Sequence, residues 1–300
     1  MSIPNFIARN DVLFDTFYPL THLKNWVHYA RRRGHYSRVR QGLGRYVIST
    51  VRDIKMKLDL ESYHDMEMFL LFSEGKLYES ALTMILSGHL STGMTFVDVG
   101  ANNGYFSLMA SKMVGPNGTV ISVEPSPANY SRLLVNKDIN SLTNVRTYNV
   151  AMSNNRGFDT MHFGIDDGQD TLVLPRRQKK SQVVQTTTLD TLLAGTQPDF
   201  IKIDVEGYEP EVIEGGNYVL SKSNKLVLSV EYNKQIIRER KLDYDLIFKK
   251  LLALGFSIKE MKDGNTVSTE LASKSEIHSH REMTTWFANL LCYKSDYVHF

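Results

Sequence analysis

Two strings of the sequence carry residues whose types and spacing suit chemistry. The first, TFVDVGANNGYFSLMA, occupies residues 95–110. Gly100 and Gly104 permit a sharp backbone turn and a close approach to a ligand where a Cβ would clash. A dinucleotide site reads G-x-G-x-x-G and seats a pyrophosphate on the following helix N-terminus. Here the pattern is D-x-G-x-N-x-G, with Asp98 two residues before Gly100. An acidic residue there does not suit a pyrophosphate. It suits a ligand with a cationic ammonium and sulfonium and no phosphate, which is the chemistry of S-adenosylmethionine. Asp98, Gly100, Ala101, Asn102 and Gly104 are the expected cradle.

Glu124 follows 24 residues after Gly100. A carboxylate at the end of a second strand can accept hydrogen bonds from both ribose hydroxyls of a nucleoside. Ala151 and Ser153, after a third strand, are expected to flank the adenine. Each residue has a plainer role when taken singly. A Gly-x-x-x-Gly is mostly a turn, Asp98 a helix N-terminal charge, and Glu124 a solvated strand end. The three together on one strand–turn–helix–strand frame favour the nucleoside site.

The second string, PDFIKIDVEGYEPEVIEGG, occupies residues 198–216. A central parallel strand is normally apolar on both faces, yet Lys202, Asp204 and Glu206 alternate with apolar residues and so share one face. Buried charges are costly unless paired. A Lys202–Asp204 structural pair is one reading. The other is an acidic cluster beside the cofactor's methyl group, with Asp204 first and Glu206 second as the base that takes a proton from an acceptor hydroxyl. No resident metal is expected. In a metal-assisted variant, Asp204, Glu231 and Asn233 at adjacent strand ends would hold Mg²⁺. His162 is a further candidate base, although a lone loop histidine is more often a surface residue.

These residues need a frame. Strands are expected at 95–99, 119–123, 145–150, 200–205, 226–231, 256–261 and 286–293. Helices are expected through Phe106 and Met113, at 127–140 and at 243–254. Such alternation predicts a mostly parallel, doubly wound sheet. Upstream, residues 46–62 alternate like strands, and 66–90 read as helical with a break at Gly75. Residues 152–188 interrupt the alternation and read as an insertion, with a turn at Asp166-Asp167-Gly168. Arg176, Arg177, Lys179 and Lys180 in it would favour an anionic sugar, though a solvated loop explains them more simply.

The remaining composition sets bounds. The chain has 300 residues, 42% hydrophobic and 23% charged, ordinary for a globular protein. A net charge of +2 gives no sign of a nucleic-acid partner. Within residues 1–45, however, eight Lys or Arg face only Asp11 and Asp15. That basic segment reads as a helical appendage, or as a surface helix over 20–45 that touches a membrane. Cys292 is the one cysteine, which suits a reducing compartment. The N-terminus lacks a secretory pattern, and no apolar run is long enough to span a membrane. A cytoplasmic location is the expectation.

Residues 97–104 (VDVGANNG), 124–127 (EPSP), 187–190 (TTLD) and 203–209 (IDVEGYE) together resemble the FkbM family of S-adenosylmethionine-dependent methyltransferases. The resemblance runs from about Leu58 to Tyr293 and weakens after Asn233. It implies an α/β, Rossmann-like class I methyltransferase fold with a seven-stranded sheet and an N-terminal helical and strand extension. It adds Pro125 to the cofactor contacts and implies O-methylation of a sugar in a glycan or of a natural product. Residues 1–76 would form the extension and 77–300 the catalytic domain. Two rivals remain at this point: a nicotinamide or flavin oxidoreductase, and a module that binds S-adenosylmethionine without catalysis.

Overall fold

The computed structural model describes residues 42–163, 170–173, 180–222, 225–262, 266–273, 276–277 and 287–294. The expected membrane-facing helix, the turn at Asp166-Asp167-Gly168, and Arg176, Arg177 and Lys179 therefore lie outside the described residues, apart from positions 42–45.

Chain order begins with a hairpin, β1 (Tyr46–Val51) and β2 (Ile54–Asp59), then α1 (Tyr63–Ser73) and α2 (Ser80–His89). The core then alternates: β3 (Thr95–Val99), α3 (Tyr105–Val114), β4 (Thr119–Val123), α4 (Pro127–Ile139) and β5 (Val145–Tyr148). Next come β6 (Ala151–Met152), β7 (Gly157–His162), β8 (Ser181–Thr187) and the short α5 (Leu189–Leu192). β9 (Phe200–Ile203), α6 (Glu209–Gly215), α7 (Asn217–Lys222), β10 (Val227–Asn233), α8 (Lys234–Glu239) and α9 (Leu246–Ala253) follow. The chain closes with β11 (Ser257–Lys262), β12 (Thr266–Ser273), β13 (Glu276–Ile277) and β14 (Phe287–Tyr293).

The main sheet runs β13-β12-β11-β14-β10-β9-β3-β4-β5. Its seven expected strands, β5 to β11 in this order, form a Rossmann-like mixed sheet. β5, β4, β3, β9 and β10 are parallel, and β14 is inserted antiparallel between β10 and β11. The sheet extends two strands further than expected, because β12 and β13 add antiparallel at the β11 edge. β6, β8 and β7 make a separate three-stranded sheet.

Strand parity explains the two-sided burial. Val97, Val99, Ile201, Ile203, Leu228 and Val230 point into one core, shared with α6, α7 and α9. Phe96, Val120, Phe200 and Val227 point into the other, shared with α2 and α3. The hairpin joins this second core through Ile54, Met56 and Leu58, all fully buried.

The order also fixes where a ligand can sit. β4 lies on one side of β3 and β9 on the other, so the connections diverge at β3 and β9. Open α/β sheets bind ligands at this switch point, outside the carboxyl ends of the strands. No helix among the described residues is long and apolar enough to cross a membrane.

Candidate active site

A cavity of about 250 Å³ opens at that point. Its floor is the carboxyl ends of β3, β4, β9 and β10. Its roof is one face of α1 (Tyr63, His64, Glu67, Met68), then Tyr78 and Glu79, with Met161 and residues 170–172 from the outlying segment.

At one end the glycine turn and Glu124 form a single hydrogen-bonded unit. The backbone N–H groups of Gly100 and Ala101 both donate to the carbonyl of Val123, at 3.0 Å each. Asn102 N–H donates to Glu124 Oε2 and Ser126 N–H to Oε1, each at 2.8 Å. The carboxylate is thus held at the cavity wall with lone pairs to spare. Burial pushes its pKa up to about 7 against the two backbone donors that favour the anion. Asn102 Oδ1 is buried there without a partner. A nucleoside with an ammonium group fits both features: its hydroxyls to Glu124, a charged donor to Asn102.

Of the residues expected to hold the cofactor, Gly100, Ala101, Asn102, Glu124, Pro125 and Ala151 line the cavity. Asp98, Gly104 and Ser153 lie outside its wall, and each has a physical reason. Asp98 lies on the opposite parity to Val97 and Val99. Its neighbours in one cross-strand row are Ser122 on β4 and Lys202 on β9. Ser107 donates to Asp98 Oδ2 at 2.6 Å, and Lys202 Nζ stands 3.8 Å from Oδ1. Asp98 is therefore the buried counter-charge of Lys202, beneath the cavity. Gly104 (φ 93°) starts α3, and a Cβ there would meet Leu133 and Leu108 at 2.5 and 2.9 Å. Its small size serves helix packing. Ser153 is buried against α6, where its carbonyl meets Gly215.

The other end of the cavity is acidic. β9 stops at Ile203, two residues earlier than expected. Asp204 N–H still donates to Val99 O at 3.0 Å, but Glu206 has turned into the left-handed region at φ 54°. Glu209 shapes this turn, accepting from Val205 N–H at 3.0 Å and Gly207 N–H at 3.1 Å. The turn, rather than strand alternation, carries Glu206 back toward Asp204. Lys202 Nζ donates to Asp204 Oδ2 at 2.9 Å. The structural pair and the acidic cluster are thus both present, sharing Asp204.

Glu231, two residues before the end of β10, completes the group. Carboxylate oxygens of Asp204, Glu206 and Glu231 all lie within 4.8 Å of one another. Burial first, then the nearby Asp204, pushes the Glu206 and Glu231 carboxyls well above the ordinary range. The same causes lift Glu79 to about 7. Burial would depress Lys202, but Asp204, Asp98 and Glu79 together raise it. Asn233 is not part of this group. Its Oδ1 caps α8, accepting from Gln235 and Ile236 N–H. His162 does not line the cavity; its backbone bridges to Thr171.

Sequence reading missed the residues that hang the roof. Ser62 caps α1, and buried Asp65 accepts from Asp59 N–H at 2.8 Å and from Asn103 Nδ2 at 2.7 Å. Asn136 Nδ2 donates to Asn103 O at 2.9 Å, while its Oδ1 accepts from Lys57 N–H at 2.7 Å. The hairpin, α1 and the glycine turn are therefore tied together. The S-x-x-D pattern of Ser62 and Asp65 is the one local signal that marks this helix start.

The model of the methyltransferase FkbM domain matches residues 98–258 of the chain. No curated protein matches it. Among solved structures, the chain is similar to a methyltransferase FkbM from Methylobacillus flagellatus KT, at 17% identity and TM-score 0.45, over 68% of this chain and 44% of that one. It thus spans less than half of that relative's length. It is also similar to a precorrin-6y C5,15-methyltransferase from Geobacter metallireducens GS-15, at 15% identity and TM-score 0.43, over 72% and 89%. An rRNA methylase from Streptococcus thermophilus matches at 10% identity and TM-score 0.44, over 73% and 97%.

Proposed function

The chain belongs to the FkbM family of methyltransferases, and from that premise we propose that it transfers a methyl group from S-adenosylmethionine to a hydroxyl oxygen of a glycan sugar or a natural product. The observation that carries this reading is one cavity with two unlike ends, a nucleoside cradle at Glu124 and Asn102 and a carboxylate group at Asp204 and Glu206. The cofactor, when bound, supplies a methyl carbon already activated by its sulfonium. Alignment is then the main demand on the protein.

The chain's residues divide that work. Glu124 and Asn102 hold the nucleoside, in our reading with Gly100, Ala101, Pro125 and Ala151 forming the wall around it. Asp98 supports Lys202 from below, and Lys202 fixes Asp204. The acceptor hydroxyl loses its proton at the acidic end as its oxygen bonds to the methyl carbon and the sulfur–carbon bond breaks. Asp204 already accepts from Lys202, so Glu206, with no such donor, is the better placed of the two to receive that proton. Tyr63, His64 and Tyr78 in the roof suit a sugar ring, which packs its C–H face on aromatics. The charge of the acidic end also supports a neutral hydroxylic acceptor over a polyanion, since Lys202 is the one Lys or Arg in the cavity wall among the described residues.

The test is a transfer assay with methyl-labelled S-adenosylmethionine and a panel of free sugars, glycosides and polyols. Calorimetry with adenosylhomocysteine and NAD runs beside it. Label in a base-stable ether product is the expected result. Binding of NAD in place of adenosylhomocysteine would move the chain to the oxidoreductases. Binding of adenosylhomocysteine with no transfer to any hydroxyl would leave a binding module.

A further inference from the structure

Among the described residues, the acidic end gathers more carboxyl groups than the cavity wall has lysines or arginines to pair with them. Asp204, Glu206, Glu231 and Glu79 all line the cavity, and Lys202 is shared with buried Asp98 beneath. Glu231 is 3% exposed, and its Oε2 has no hydrogen-bond partner. A buried carboxylate oxygen without a donor is costly. One carboxylate oxygen each of Glu231, Asp204 and Glu206 lie within 4.8 Å of one another. A hard cation with oxygen ligands at about 2.0–2.6 Å spans such a set. Glu231 sits on β10 and Asp204 directly follows β9, while the Glu209-braced turn after β9 places Glu206. Donors that are all carboxylate suit hard cations such as magnesium, manganese or calcium.

We propose that Asp204, Glu206 and Glu231 form a divalent-cation site at the acceptor end of the cavity. The site stands on the side-chain geometry. Its use, to bind the acceptor hydroxyl and make its proton easier to lose, rests on the methyl-transfer reading. With the cation in place, Asp204 and Glu206 act as ligands, and the hydroxyl proton passes to a carboxylate oxygen that is not bonded to the ion.

The test uses the full chain, stripped with EDTA and free of S-adenosylmethionine. Titration with Mn²⁺ is followed by calorimetry and by the electron paramagnetic resonance signal of free Mn²⁺. The expected result is one saturable Mn²⁺ per chain. Glu231→Gln and Glu206→Gln should each weaken it by about 10–100-fold or more. Glu74→Gln, which alters an exposed acid paired with Lys76, should leave it unchanged. Glu231→Gln removes a buried charge and keeps the shape, and Glu206→Gln is the second arm should it misfold. Absence of saturable binding up to about 1 mM, the weak end for oxygen-ligand sites, overturns the proposal and leaves the cluster neutralised by protons. Binding that both variants retain overturns it equally. Mn²⁺ binding without adenosylhomocysteine binding would sink the methyl-transfer reading and leave the cation site standing.

Discussion

Replacing Gly100 with alanine tests how the two motifs are joined. Gly100 has φ 83°, and a Cβ there would stand 1.8 Å from the carbonyl oxygen of Asp204 and 2.9 Å from its carbon. Both obstructing atoms are backbone, so no side chain can rotate away. Asp204 would have to retreat by roughly 1 Å in an interior packed to crystal density. That retreat strains or breaks the 3.0 Å bond from Asp204 N–H to Val99 O. The left-handed φ costs an alanine about 1–2 kcal/mol. Overpacking adds about 1–3 kcal/mol, and a lost buried hydrogen bond about 1–3 kcal/mol. The expected destabilisation is about 3–8 kcal/mol. Gly93 is the control, with φ 91° and nothing within 4 Å of its Cβ position. Gly93→Ala should cost only the backbone part, about 1–2 kcal/mol. Urea unfolding of both variants reads the difference, and adenosylhomocysteine titration reads the displaced site. Equal unfolding midpoints for the two variants would refute the reasoning, because they share the φ penalty and differ only in the space around the Cβ.

Three further outcomes follow from the buried charges. Glu124→Gln should weaken adenosylhomocysteine binding by about 10–100-fold, since a charged hydrogen bond is lost and an amide NH₂ now faces a backbone donor. The pH dependence has a definite sign: Glu124 is raised by burial from 4.5 to about 7, so the native state holds its proton longer than the unfolded chain. Its contribution to stability therefore falls as pH rises from about 4.5 through 7, whereas nucleoside binding, which favours the anion, tightens over that range and releases a proton below it. Calorimetry in two buffers of different ionisation heat checks this, and Glu124→Gln should flatten it. Lys202→Met strands Asp98 in the core and should cost about 3–5 kcal/mol, with much of the loss recovered when Asp98→Asn is added. A urea-unfolding double-mutant cycle measures that coupling.

The parts of the fold legible in the sequence were those whose signals are local. Alternating apolar runs placed β3, β4, β9, β10 and β14 to within a few residues, and the glycine turn marked the start of α3. β12 and β13 escaped because an edge hairpin of mixed polarity has no period that sets it apart from a loop. In the cavity wall, local motif reading placed Gly100 to Asn102, Glu124, Pro125 and Ala151. Asp98 and Gly104 lie outside that wall for one reason. Both have roles set by residues far along the chain, Lys202 for Asp98 and Leu133 for Gly104. Parity alone carried part of the answer, since Asp98 shares a face with Phe96, opposite to Val97 and Val99. Asp65 and Asn103 were missed because a buried side-chain bond across 38 positions leaves no trace in spacing.

The contact between Gly100 and Asp204 gives the site its rigidity. The turn that lines the nucleoside end touches, through backbone alone, the residue that begins the acidic end. Lys202 adds a second tie, reaching both Gly100 O at 3.4 Å and Asp204 Oδ2 at 2.9 Å. Methyl transfer demands a fixed line from acceptor oxygen through carbon to sulfur, and a misplacement of about 1 Å can cost about 100-fold in rate. In the proposed reaction, a junction of backbone and a buried ion pair would set that line. The roof is built differently, from α1 and the hairpin, and is held by side-chain bonds at Asp65, Asn103 and Asn136. Changes of acceptor preference should therefore arise from substitutions at Tyr63, His64 or Tyr78, which leave the junction untouched. Substitutions at Gly100 or Lys202 should lower the rate with every acceptor alike.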